Sequence, residues 1–365
     1  MATSIKTSFE SIILSSHLPE EISIRTDAVR LEVNIYVGGT KVFKSVYYPF
    51  DKMVYVRDIR SIVEASMFEK QLVMAALMIE VYEPAKPTTP TTVTIDENGN
   101  YVVTFDSDGS SSPDATISDI KVVYSQFKSS KGSEGFLYNS FLTTRKSAVI
   151  PRNGKLKLCN YAKAYAQGSN YALIYYSHYA VPGVVFTYKS VMSKIQSTSD
   201  TIVTAELTHD YFKSIVDQVK STNCEVLGVE YQIGMRRFNI FFTDEEPTET
   251  FKFLNAFNIM ETAYLYNTTT TKTEVDRSET VCGRQTQFYD EIVKVKHEVE
   301  TAPLTHDEAM WLNQMLTSKL VMKPVDNYST AEILISDISS EISDSDKELI
   351  RMKFSWRYAD SNEWI

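Results

Sequence analysis

Leu31, Val33 and Ile35 alternate with Glu32 and Asn34, the two-residue period of a strand with one buried and one wet face. Val29–Tyr36 is expected to return as Lys41–Tyr47 around Gly38-Gly39, because paired glycines accept the positive φ angles of a tight hairpin turn. Phe9–Leu14, Ile22–Thr26 and Met53–Val56 read as shorter strands. The period then changes. Asp58 is placed to cap a helix that carries Ile59, Ile62, Val63 and Met67 on one stripe. Leu77–Tyr82 closes a strand–helix–strand unit.

Pro84, Pro87 and Pro90, interleaved with threonines to Thr92, predict a stiff extended connector, since proline neither continues a helix nor sits inside a sheet. Beyond it, Val93–Ile95 and Tyr101–Phe105 flank Asn98-Gly99, a strong hairpin signal, and Asp106–Asp114 reads as a polar loop. Ile120–Tyr124, Ala148–Ile150, Lys155–Leu158 and Tyr171–Tyr176 continue as short strands, the pattern of a β-sandwich or barrel-like middle domain.

Leu207-Thr208-His209-Asp210 precedes a predicted helix at Tyr211–Lys220, and the same tetrapeptide at Leu304–Asp307 precedes another at Glu308–Thr317. Each helix is followed by a strand pair, Glu225–Ile233 with Phe238–Phe242 and Leu320–Val325 with Ala331–Ile335. Two origins fit: duplication of a unit, or threonine N-cap chemistry reached twice. In the second copy Thr305 and Glu308 have the spacing of a capping box. Glu261–Tyr266 and Glu291–Thr301 before that helix, and Leu349–Tyr358 after it, are rich in β-branched and aromatic residues and read as strands.

The pattern therefore describes an α+β, β-rich chain, divided at 1–83, a connector at 84–92, an all-β domain or insertion at 93–200, a strand–helix–hairpin unit at 201–250 and a C-terminal α+β domain at 251–365. Composition agrees: 22 Tyr and 18 Phe stand against 12 Gly in 365 residues, and aromatics suit sheet faces whereas glycine weakens strands. The formal net charge of −10 argues against a nucleic-acid surface, which presents a basic face to phosphates. No basic start followed by an apolar segment and no long apolar run predicts a signal peptide or a membrane span. Cys159, Cys224 and Cys282 are odd in number and widely spaced, so buried free thiols are expected rather than a disulfide framework or a zinc site.

Catalytic motifs are missing from the sequence. No G-x-S-x-G elbow, glycine-rich phosphate loop or H-E-x-x-H occurs, which gives no catalytic residue, metal ligand or cofactor site and favours a non-enzymatic protein. Asp106-Ser107-Asp108-Gly109 brings carboxylates together without the remaining ligands of a calcium loop and reads as a solvated turn. Tyr175, Tyr176 and His178 form the candidate glycan contact, against the plainer reading of a half-buried sheet face. His209 and His306 occupy first-turn helix positions, where an exposed imidazole is ordinary. Thr268, Thr269, Thr270 and Thr271 read as a hairpin tip or interaction loop, and Trp364 as an interface anchor in a polar tail; Trp356, alternating with Phe354 and Tyr358, reads as core.

The stretch Phe251–Thr317, with Phe253-Leu254-Asn255, Glu261–Leu265, Lys272–Arg277 and Trp311-Leu312, and the ending Met352–Ala359 resemble structural proteins of tailed phages and prophages of gut anaerobes. Val46–Pro49 and Val56–Ile59 are similar to such proteins too. The resemblance implies hub-like strand–helix–strand units of a distal tail or baseplate protein. It implies copies closed into a ring, other virion tail proteins and a host surface glycan or receptor as partners, and a place in the virion after assembly in the host cytoplasm. A carbohydrate-binding or adhesive surface module is the alternative on the same architecture.

Overall fold

The structure, a computed structural model, describes residues 3–83, 90–95, 101–105, 112–163, 170–178, 181–189, 201–219, 224–326, 329–339, 342 and 350–360. The chain is α+β and β-rich, and it divides into two compact units, Met1–Glu134 and Gly135–Ile365.

In the first unit β1 (Ser4–Ile5), β2 (Ile12–Leu14), β3 (Glu21–Arg25), β4 (Leu31–Val37), β5 (Thr40–Tyr47) and β6 (Met53–Arg57) lead to α1 (Ile59–Glu69). β7 (Met74–Tyr82), β8 (Pro90–Ile95), β9 (Tyr101–Phe105) and β10 (Ala115–Val123) follow. Leu31, Val33, Ile35 and Val37 on β4 are all at most 1% exposed, so the alternation seen in the sequence is the inward face of this strand. Gly38 and Gly39 turn the β4–β5 hairpin with φ of +58° and +79°, both positive as a type I′ turn requires. The main sheet runs β2-β10-β7-β4-β5, and a smaller one runs β1-β3-β6. β6 and β7, on either side of α1, therefore belong to different sheets. Ile59, Val63 and Met67 of α1 are buried as the helical spacing demands, with Ile62 packed at the margin. Asp58 is not the expected cap: it is left-handed, with φ +62° and ψ +22°, and its side chain makes no capping bond. A capping carboxylate needs extended backbone to turn back on the first turn.

The second unit contains α2 from Gly135 of its Gly132–Asn139 span, β11 (Ser147–Pro151), β12 (Lys155–Tyr161), β13 (Asn170–His178), β14 (Val181–Lys189), β15 (Ile202–Thr208) and α3 (His209–Val219). It continues through β16 (Cys224–Ile233), β17 (Arg236–Thr243), β18 (Glu249–Leu254), β19 (Met260–Leu265), β20 (Asn267–Cys282) and β21 (Gln285–Thr301). α4 (His306–Thr317), β22 (Val321–Pro324), β23 (Thr330–Ser339) and β24 (Lys353–Tyr358) complete it. One sheet has the order β11-β17-β16-β13-β14, a pair joins β12 to β15, and the largest has the order β19-β18-β22-β23-β24-β21-β20. The expected division after the proline connector is thus displaced. β10 hydrogen-bonds into the first unit through β7, and β13 pairs with β16 from the segment expected as a separate unit. Pro84 and Pro87 of the expected connector lie outside the described residues.

Both Leu-Thr-His-Asp copies start helices. Thr208 Oγ1 accepts from Tyr211 N at 3.2 Å, and Thr305 Oγ1 accepts from Glu308 N at 3.4 Å while Glu308 returns to the Thr305 amide at 2.9 Å. The histidines part company: His209 is buried, edge-on to Phe242 with Nε2 3.2 Å from Glu225 Oε1, whereas His306 is half-buried. His209 is therefore a core residue, not the exposed imidazole expected. α4 presses Ala309, Trp311, Leu312, Met315 and Leu316 into a core that includes Phe251, Phe253, Phe354 and Trp356 of the large sheet.

Candidate functional site

The largest departure from a closed domain is the hairpin of β20 and β21. They pair without interruption from Asn267↔Thr301 to Cys282↔Gln285, except for a bulge after Ser278, and the turn falls at Gly283 with φ +68°. β24 supports β21 only from His297 to Glu300. From there to the tip the hairpin is a two-stranded ribbon, roughly 30–35 Å long at about 3.3 Å per residue.

Register and alternation give this ribbon two unlike faces. Facing pairs place Thr271, Thr273, Val275, Arg277, Glu279 and Val281 of β20 on the side of His297, Val295, Val293, Phe288 and Thr286 of β21, and the Arg277 guanidinium carbon lies 5.0 Å from the Phe288 ring centroid. The opposite side carries Lys272, Glu274 and Asp276 with Lys294, Lys296 and Glu298. The charged side is laced by Lys272–Glu298 at 2.7 Å and Lys294–Asp276 at 3.6 Å. The other side is continuous with buried Val299, but Val281 is 71% and Phe288 57% exposed, and bulge residue Tyr289 is 68% exposed. A water-exposed two-stranded ribbon has little core of its own and is marginal in isolation. β20 also ends the sheet, so its outer edge is unpaired among the described strands.

The root is held firmly. His297 stacks on Trp356 with ring centroids 4.0 Å apart, and its Nδ1 lies 3.1 Å from Thr271 Oγ1. Thr269 Oγ1 donates to Glu249 at 3.2 Å, Glu249 pairs with Lys323, and the Lys323 ammonium sits 4.7 Å from the Trp356 ring centroid and 5.1 Å from that of Phe251. Burial, reinforced by the Lys323 charge and opposed by Glu249, holds the His297 imidazole below its ordinary value.

Beside this root, β19, the β21 end and α4 enclose a cavity of about 180 Å³ that includes Arg145, Ser147, Tyr266, Thr301, Leu304 and Trp311 in its wall. Arg145 is 9% exposed. Its guanidinium carbon lies 4.2 Å from the Trp311 ring centroid and its Nε 3.5 Å from Glu261 Oε2. Glu261 is already engaged: Trp311 Nε1 donates to Oε2 at 2.7 Å and Asn255 Nδ2 to Oε1 at 2.5 Å. Asn255 in turn is fixed by accepting from the Phe257 and Ile259 amides and donating to Leu142 O. Arg145 Nε and Tyr266 Oη have no hydrogen-bond partner. Burial draws the Arg145 value down, with Glu261 acting against it. It also pushes the Tyr266 phenol up to about 12, helped by Glu245 and Glu246, so that group keeps its proton.

The residues singled out in the sequence are scattered. Thr268–Thr271 are not a loop or a tip but the rooted end of β20, paired with Glu300, Val299, Glu298 and His297; β-branched threonines took a ladder, and the tip lies at Gly283. Thr268 and Thr270 line a second cavity of about 370 Å³ with Glu298, Glu300, Lys353 and Ser355. Tyr176 is 3% exposed in the core while its neighbour Tyr175 is half-buried, as alternation requires, so the pair does not form one surface contact. The side chain of His178, the greater part of the Asp106–Asp114 loop, the Asn98-Gly99 turn and Trp364 lie outside the described residues. Cys159 and Cys224 are buried thiols outside any disulfide, as expected, but Cys282 is exposed at the arm tip, where no core exists to enclose it. Arg145 and Glu261 carried no sequence signal: they are far apart in the chain and meet only through the fold. Among the described residues no group of acidic, histidine or cysteine side chains is arranged to hold a metal, and no helix is long and apolar enough to cross a membrane. In comparisons with known proteins the chain matches no family model, no curated protein and no solved structure.

Proposed function

We propose that this chain is a non-enzymatic structural subunit of the phage tail or baseplate type, assembling through the β20–β21 arm into a homo-oligomeric ring. The observation that carries the reading is the exposure of two large apolar side chains on one side of that arm. Val281 and Phe288 share a side of the ribbon with Arg277 and Glu279, and large apolar side chains left in water inside a polar rim mark a surface for contact. A neighbouring copy that covers this side, or adds a strand to the free β20 edge, supplies the third layer or strand that a lone ribbon lacks. Repeating one such head-to-tail contact by rotation closes a ring. Other tail proteins are the further partners on this reading, and the virion is its place. Light scattering and negative-stain imaging of the full chain test it, with Val281→Asp/Phe288→Asp as the comparison. The expected result is a closed species of defined mass for the wild type and a folded monomer for the double variant. A wild-type chain that stays monomeric up to its solubility limit sinks the homo-oligomeric ring.

A further inference from the structure

Arg145 has charge compensation without hydrogen-bond satisfaction. A guanidinium has five N–H donors in a planar fork; here Nε is enclosed, approaches Glu261 at 3.5 Å and has no hydrogen-bond partner, which leaves Nη1 and Nη2 as the donors for the cavity that Arg145 lines. Glu261 spends both oxygens on Trp311 and Asn255. The guanidinium plane is held over the Trp311 ring, which fixes its orientation without using a donor. A buried guanidinium with unspent donors is costly unless an acceptor comes to it. The cavity that it lines is where an acceptor can come.

We infer that the cavity at the arm root binds a small monocarboxylate with an apolar body, its carboxylate taken by the Arg145 guanidinium and its body by the wall of Leu304, Leu312, Ala148 and Trp311. The wall chemistry is selective in two ways. A planar carboxylate accepts two parallel N–H bonds from one guanidinium, a fit that neither a lone hydroxyl nor an amide offers. The rest of the lining is largely apolar, so a small hydrophobic tail gains by leaving water, whereas sulfate or phosphate would leave oxygens unsatisfied against it. Glu308, the acidic residue in the wall, has its carboxylate turned to the Thr305 amide and hydroxyl at 2.9 and 2.8 Å. The site is formed within one unit of one chain, so binding does not require the ring and is tested apart from it.

The test uses the full chain with butyrate and benzoate as probes, butyramide as the uncharged control and sodium chloride to match ionic strength. Thermal unfolding and calorimetric titration read the binding. One fork pair and modest apolar burial place the expected dissociation constant in roughly the millimolar range. Both carboxylates should raise the unfolding temperature saturably, while butyramide should not. Arg145→Lys should weaken binding roughly tenfold, because an ammonium lacks the planar fork. Ala302→Phe, which fills the cavity and leaves Arg145 and Glu261 intact, should abolish binding and keeps the test open if the lysine variant does not fold. Absence of a saturable shift in the folded wild type means the cavity holds water only and overturns the inference. An equal response to butyramide, or binding that survives Ala302→Phe, overturns it as well.

Discussion

The imidazole of His297 lies 4.0 Å from the indole of Trp356, the planes inclined by only 17°. This stack joins the last supported residues of β21 to β24 and so anchors the arm to the domain. Its chemistry makes the anchor sensitive to acid. Burial and the nearby Lys323 charge depress the His297 value in the folded chain, against Glu249. The unfolded chain, with an imidazole near 6.5, therefore takes up its proton first, and stability rises with pH across this interval. The contribution is complete above about pH 6.5 and is lost as pH falls through the depressed folded value. Because carboxylates also titrate in acid, the measurement is a difference: unfolding temperature from pH 7.5 to pH 5 for wild type and His297→Phe. The variant should lose less stability on acidification, and parallel curves would show that His297 does not carry the effect.

Glu261 compensates Arg145 and accepts from Trp311 and Asn255, all inside the α4 core. Removing it strands a buried cation and two donors. Glu261→Ala should destabilise the second unit by about 3–5 kcal/mol, the cost of breaking a buried pair by deleting one partner. Glu261→Gln retains an acceptor oxygen but not the charge and should also destabilise, by less. Urea unfolding followed by tryptophan fluorescence measures both, and an alanine variant within about 1 kcal/mol of wild type would show that Arg145 is satisfied by solvent.

How much of this was legible beforehand depended on the distance over which each feature is determined. The Gly38-Gly39 hairpin, the α1 stripe and the Thr305–Glu308 capping box are local, and each stands where its residues put it. Asp58 shows the limit of local chemistry: a good cap residue in left-handed backbone cannot cap. The arm is not legible locally: Thr268–Thr271 reads as a hairpin tip or interaction loop and Glu291–Thr301 as a strand, while their register runs on to Gly283 through residues of mixed polarity. Such a ribbon has no buried face to impose strong alternation. The Arg145 cavity was illegible altogether, since a lone arginine between α2 and β11 gains meaning only when Glu261 and Trp311 arrive from β19 and α4.

The capping box permits a clean comparison between the two Leu-Thr-His-Asp copies. Thr305→Ala removes both bonds of the hydroxyl, from the Glu308 amide and to the Glu308 carboxylate, while the bond from the Thr305 amide to Glu308 stays, and should cost about 1 kcal/mol, with Thr208→Ala, a single bond, costing no more. Thr305→Ser, which keeps the hydroxyl, should restore most of the loss. Equal stability of Thr305→Ala and Thr305→Ser would assign the effect to the threonine methyl group instead.

The three cysteines report on the arm directly. Cys159 and Cys224 are buried, and burial pushes the Cys159 thiol up, so its reactive thiolate is scarce in the native chain. Cys282 is exposed beside the Gly283 turn. A native chain treated with an aromatic disulfide reagent should therefore release one equivalent of thiol quickly and the other two only after denaturation. If the arm is seated on a neighbouring copy, that fast equivalent should slow as protein concentration rises and return in Val281→Asp/Phe288→Asp. Fast reaction independent of concentration, in a sample that light scattering shows to be oligomeric, would place the tip outside the subunit contact. Assembly would then have to run through the supported part of β20, where Thr268 and Thr270 flank the acidic cavity of Glu298 and Glu300, and the deciding variant would become Thr270→Arg.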